Sequence, residues 1–315
     1  MSGLTNRRVL LPVLALASIG ALLAGCAQEP AATASSAPAA SSAAASAAPA
    51  ESAAAAASAS AAPELTACSK ENLTLVTPGT LTIGTDTPAY PPYFSDDDPS
   101  NGEGFESAVA YAVADGLGFA PNEVTWATVP FNSSYAPGDK AFDFDINQIS
   151  ITPKRQKVVD FSNGYYTVNQ AVIALKDSPI ANATTLAELQ AAKLGAQIGT
   201  TSLDFINEVV QPADQPYVYN DTNDAKSALQ NGQIDGIVVD LPTAYYITAV
   251  EIPKGKIVGQ FKAQEGGEQF GLLFAKGNPL VSCVNEVIDG LAASGELQSI
   301  QDEWLAGDVA PYFTE

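Results

Sequence analysis

The chain has 315 residues, with 35 acidic and 14 basic side chains, a formal net charge of −21 and no histidine. Such a charge excludes nucleic acid as a partner, because a phosphate binder needs a basic face. Without histidine the usual general base, the Ser–His and Cys–His nucleophile pairs and most zinc sites are gone, and no cofactor or metal is expected.

At the N-terminus, Asn6-Arg7-Arg8 makes a positively charged start. The apolar stretch from Val9 to Leu23 follows, broken by Pro12 and too short to span a bilayer comfortably, which takes about 20 apolar residues. It closes on Leu23-Ala24-Gly25-Cys26, which resembles the lipobox of bacterial lipoproteins. That resemblance implies a signal peptide over 1–25, cleavage before Cys26 and lipidation of its thiol. Lipid chains would then anchor the exported protein to the outer face of the cytoplasmic membrane without spanning it. Residues 26–64, almost entirely Ala, Ser and Pro after the cysteine, carry too little apolar surface to offset the entropy of folding and read as a disordered tether.

The remaining 65–315 suffices for one large domain or two small ones. Its two cysteines, Cys68 and Cys283, are expected to form a disulfide in an oxidising exported setting. Apolar alternation marks a strand over Thr80 to Asp86, and the stripe Phe105, Val109, Val113, Leu117 marks a helix. Strands follow at Val124–Val129, Phe142–Ile146 and Ala171–Leu175. Thr185-Leu-Ala-Glu188 is a capping box opening a short helix. Next come a strand at Leu194–Ile198, helices at Thr201–Val210 and Asn223–Gln230, and a strand at Ile234–Val239. Pro242 starts a helix, Phe270–Ala275 is a strand, and Leu280–Leu291 and Glu296–Leu305 are helices. This β–α order predicts an α/β fold with parallel sheets covered by helices. Ligands of such sheets sit beyond the carboxyl ends of the strands. Three loops qualify: Asp86–Phe94, Gly199–Ser202 and Asp240–Thr243.

Beyond Arg7 and Arg8 the only arginine is Arg155, within Ser150-Ile-Thr-Pro-Lys-Arg155. Arginine differs from lysine in its planar fork, which grips a carboxylate with two parallel hydrogen bonds. Around it stand Gly79-Thr-Leu-Thr-Ile-Gly-Thr-Asp86, Tyr90-Pro-Pro-Tyr93, Gly104-Phe-Glu106, Val159-Asp-Phe-Ser162 and Tyr165-Tyr166. Gln197-Ile-Gly-Thr-Thr201, Gly232-Gln-Ile-Asp235, Asp240 and Leu280…Asn285…Gly295…Trp304 follow. In this order the pieces resemble the polar amino-acid group, family 3, of periplasmic-type solute-binding proteins of ABC importers, over roughly 72–315.

The resemblance implies a two-lobed, type II-like periplasmic-binding fold, its parallel-sheet lobes joined by a two-crossing hinge. Lobe one would hold 65–172 and 268–315, and lobe two 173–267. It implies that Arg155 clamps the α-carboxylate of a free amino acid, helped by Gly199, Thr200 and Thr201, and that Asp240 takes the ammonium. The Ser150 hydroxyl and the Asn147–Gln148 backbone add contacts, each charge-assisted bond contributing about 1.5–3 kcal/mol. Asp86, Tyr90 and Phe131 match places that meet the ligand's side chain. The implied partners are an amino acid and an ABC permease, the protein being a monomer and not an enzyme. Two alternatives stand beside this: a carboxylate-dependent dehydratase on the same fold, with Asp86 or Glu106 as acid, and a ligand-binding sensor without transport. Departures from the family pattern ring the cleft: Glu106 where Asp is usual, Ser107-Ala108 for a polar pair, Asn132–Gly138 for a helical stretch, and the acidic, aromatic Phe142–Gln148. They leave the ligand's identity open.

Overall fold

A computed structural model describes residues 68–262, 267–305 and 310–314. The expected signal peptide, lipidated Cys26 and tether lie outside the described residues. The chain opens with β1 (Leu81–Thr85), whose Leu81 and Ile83 are fully buried, and α1 (Phe105–Gly116). The α1 stripe Phe105, Val109, Val113 and, just past its end, Leu117 packs into the first core. β2 (Val124–Thr128), the short α2 (Phe131–Ser134), β3 (Phe144–Asp145) and β4 (Val159–Val168) follow. The expected strand over Phe142–Ile146 shrinks to two paired residues. β4, not expected as a strand, runs through Asn163-Gly164, a pair that reads as a turn. Here Gly164 sits opposite Gly271 at a bulge, so the strand bends instead of reversing.

One residue, Asn169, separates β4 from β5 (Gln170–Leu175), which is buried on both faces as its Ala-Val-Ile-Ala-Leu run dictates. α3 (Leu186–Leu189) carries the expected capping box, the Thr185 hydroxyl and Glu188 carboxylate each accepting the other's backbone N–H. β6 (Leu194–Gln197) leads to α4 (Thr201–Phe205), which runs on as a π-turn over Ile206–Val210. β7 (Tyr217–Tyr219), α5 (Thr222–Gln230), β8 (Gly236–Asp240) and α6 (Leu241–Tyr246) complete this region, α6 again continuing as a π-turn, Ile247–Glu251. β9 (Gly255–Gln260) precedes β10 (Glu268–Ala275), α7 (Leu280–Ser294) and α8 (Glu296–Trp304).

Two five-stranded sheets result, ordered β2-β1-β3-β10-β4 and β7-β6-β8-β5-β9. Neither is purely parallel, which corrects the expectation. β10 runs antiparallel to β3 and β4, and β5 antiparallel to β8 and β9. The strands by which the chain enters each sheet from the other, β5 and β10, run against the β–α units, so periodicity alone gave their existence and not their direction. Each sheet has apolar clusters on both of its faces, giving two α/β lobes.

The expected partition placed 268–315 in lobe one, but the C-terminal segment belongs with the second sheet. Phe313 is buried against Phe261, ring centroids 5.2 Å apart. The Phe313 N–H donates to Gln260 O at 3.0 Å, and the Thr314 N–H to Thr184 O at 2.9 Å. This adds a third link between the lobes to the two expected. Cys68 and Cys283 are disulfide-bonded, their Cα atoms 5.4 Å apart, tying the start of the described chain to α7.

Candidate binding site

The carboxyl ends of β1 and β8 face one cavity between the sheets, as expected for strand ends feeding helix starts. Of the expected site residues, Asp86, Tyr90, Phe131, Asn147, Gln148, Thr200, Thr201 and Asp240 line it. Arg155 and Gly199 line a neighbouring cleft, with Thr201 common to both. Ser150 joins the two through its hydroxyl, 3.3 Å from that of Thr201.

Asp240 is the last residue of β8 and precedes α6, where an aspartate ordinarily caps the helix. Its side chain makes no cap bond. Instead Oδ1 accepts Gln170 Nε2–H at 2.6 Å. The same amide nitrogen donates to Glu268 Oε2 at 3.1 Å, while Ser202 Oγ–H donates to Gln170 Oε1 at 2.6 Å. The serine thus sets the flip of the amide, aiming both its N–H bonds at two carboxylates. Ser150 Oγ–H donates to Glu268 Oε1 at 2.6 Å. Burial first, and the nearby Glu268 charge second, hold the Asp240 carboxyl well above the usual range.

Arg155 is buried and reaches across the lobes. Nη1 donates to Ser150 O at 2.7 Å and Nη2 to Gly199 O at 2.9 Å. Its guanidinium carbon lies 4.9 Å from the Tyr135 ring centroid and 5.5 Å from that of Phe131. Among the described residues no carboxylate is ion-paired with it. Gly199 has φ +77°, and a Cβ there would be strained and would have to displace the Asn132 amide and the Tyr135 hydroxyl. Thr200 caps α4, its hydroxyl accepting Leu203 N–H at 3.2 Å.

Two expected contacts are spoken for. The Gln148 N–H, in a residue at φ +48°, donates to Glu106 Oε1 at 2.7 Å, and its side-chain amide donates to Glu106 Oε2. Asp86 accepts Thr87 N–H at 2.7 Å and Phe131 N–H at 3.0 Å, holding the loop that carries α2. Glu106 is fully buried and takes a third donor, the Tyr165 hydroxyl. Burial still pushes its carboxyl up to about 7. Sequence reasoning missed Gln170, Glu268, Tyr135, Lys226 and Glu251, which lie outside every motif. It did single out the Asn132–Gly138 stretch that contains Tyr135.

Residues 81–307 match the model of the bacterial extracellular solute-binding proteins, family 3. The chain belongs to this family. The solute-binding protein is 30% identical over 234 residues to the L-cystine-binding protein TcyJ of Escherichia coli (strain K12), covering 73% of this chain and 84% of the relative. It is 28% identical over 220 residues to ABC transporter arginine-binding protein 1 of the same strain, covering 69% and 87%. Among solved structures it resembles the ancestral amino acid-binding protein AncCDT-1, a precursor of cyclohexadienyl dehydratase. The TM-score is 0.60 at 28% identity, over 72% of this chain and 96% of that one.

Proposed function

We propose that this solute-binding protein captures a free α-amino acid between its lobes and delivers it to an ABC permease. The observation that carries this reading is the Asp240 carboxylate, released from helix capping and set beside Glu268 by the Gln170 amide. Asp240 lines the cavity while Glu268 lines the adjoining cleft, and an ammonium set against Asp240 relieves the repulsion between the two carboxylates. The other half of the zwitterion falls to Arg155. Two of its five N–H donors hold Ser150 and Gly199, leaving three for a carboxylate beside the Thr201 and Ser150 hydroxyls. Relatives named for arginine and cystine agree with a ligand of this kind.

Arg155 sits in the lobe of β1 and β4, and Thr201 and Asp240 in that of β8, so a bound amino acid bridges the lobes and favours closure by its differential affinity. The leash before Cys68, lipidated at Cys26, would keep the protein near its permease at the outer face of the membrane.

The ancestral neighbour's link to a dehydratase raises an enzymatic reading with Glu106 as acid. Against it, the Glu106 carboxylate is enclosed by three donors and does not line the cavity. Titration calorimetry of the ligand-free protein with L-amino acids tests the binding reading. Saturable 1:1 binding of at least one, lost in Asp240→Ala, is the expected result. Turnover of a prephenate derivative, or no binding of any amino acid, would overturn it.

A further inference from the structure

α6 and its π-turn lay one face along the cavity: Asp240, Thr243, Tyr246, Ile247 and Glu251 all line it. At about 1.5 Å per residue, Glu251 lies roughly 16 Å along the helix from Asp240, less the reach of two side chains. Asp240 marks the pole assigned above to the α-ammonium. The far end carries a second charged set. Lys226 on α5 is nine-tenths buried, and its Nζ sits 2.7 and 2.8 Å from the two Glu251 oxygens. It lies 5.4 Å from the ring centroid of Tyr90, which comes from the opposite lobe. Two of the three lysine N–H bonds are used, and Glu251 keeps lone pairs free.

We infer that the solute carries a second zwitterionic head, making it a diamino dicarboxylic acid whose distal carboxylate meets Lys226 and whose distal ammonium meets Glu251. The inference rests on the amino-acid reading above. A side chain ending in a plain cation would face Lys226, while Asp86, the obvious counter-charge, has an amide on each oxygen. A plain anion would face Glu251 and Asp86. A neutral amide end fits both partners, but with weaker neutral bonds than a charged head makes. An apolar end would desolvate the Lys226–Glu251 pair on the cavity wall while offering neither charge a new bond. A head with both signs of charge answers every group on this wall.

The test is titration calorimetry of the full exported chain, freed of co-purified solute, with L-cystine, L-cystathionine and meso-diaminopimelate, then L-arginine, L-glutamine and L-glutamate. At least one of the first three is expected to bind tenfold or more tighter than each of the last three. Lys226→Met and Glu251→Gln are each expected to cut that ratio below threefold. The unsubstituted protein decides the ranking even if one variant fails to fold. Arginine, glutamine or glutamate binding as tightly overturns the inference and leaves the amino-acid reading standing. So does a ratio that survives both substitutions, which makes the ion pair purely structural. No binding of any of the six overturns the inference, and the amino-acid reading falls with it only if the remaining L-amino acids also fail to bind.

Discussion

The Nη2 atom of Arg155 lies 2.9 Å from the carbonyl oxygen of Gly199, so a side chain of one lobe holds the backbone turn of the other. Lysine keeps the charge but loses the fork, and cannot hold Ser150 and Gly199 while presenting parallel donors to a carboxylate. Arg155→Lys is therefore expected to cost about 2–5 kcal/mol of affinity for any α-amino acid. Calorimetry giving near-native affinity would remove Arg155 from the site.

Gly199→Ala tests the same junction from the other side. The added methyl meets the Asn132 and Tyr135 side chains, and the left-handed backbone itself costs about 1 kcal/mol for a side chain to adopt. The contact joins the two lobes, so the substitution bears on any closure that a ligand stabilises. Affinity is expected to fall at least tenfold, with a smaller loss of thermal stability in the ligand-free protein. Equal losses in both would mean that the turn supports lobe two alone.

Stability of the ligand-free protein is expected to fall as pH rises from about 4.5 to 7. The fully buried Glu106 carboxyl is raised from its ordinary 4.5 to about 7 by burial. The native state therefore binds a proton that the unfolded chain gives up first, and stability declines across that window. The magnitude for this one group is about 3 kcal/mol. Asp145 and Asp240, also held high by burial, act in the same direction. Surface acids held low, such as Asp160 beside Lys276, act below this window. Thermal midpoints at half-unit pH steps should show the decline in the native chain and a shallower one in Glu106→Gln. A midpoint that rises from pH 5 to 7 would contradict the assignment.

The Cys68–Cys283 bridge closes a loop of 215 residues, a large constraint on the unfolded chain. The Cys68→Ser, Cys283→Ser double variant is expected to lose roughly 3–5 kcal/mol without losing its ligand, because neither cysteine lies near the cavity. Denaturant unfolding that shows a loss below about 1 kcal/mol would place the compensation in the unfolded state.

The β–α units were legible because their residues repeat at strand and helix periods, as in the stripe from Phe105 to Leu117 or the capping box at Thr185. Strand direction was hidden, because nothing local distinguishes β5 or β10 from a parallel neighbour. Phe313 was hidden for a related reason. Its burial depends on Phe261 from β9's end, a partnership that no short window of sequence contains. At the site, residues singled out by type, such as Arg155 and Asp240, border the adjoining clefts. Glu268, Gln170, Lys226 and Glu251 escaped because their role comes from direct bonds between residues far apart in the chain, Gln170 with Asp240 and Glu268 and Lys226 with Glu251, and the Gln148 N–H was taken for a free donor because the reach of Glu106 is not visible in the chain.

The link between Cys68 and α7 also sets a mechanical route. Tension transmitted along the chain from the N-terminal side enters the fold at Cys68 and passes through one covalent bridge into a helix packed on the first sheet. It does not cross the strands connecting the lobes. The second sheet, with its Phe313 strap, lies off that route.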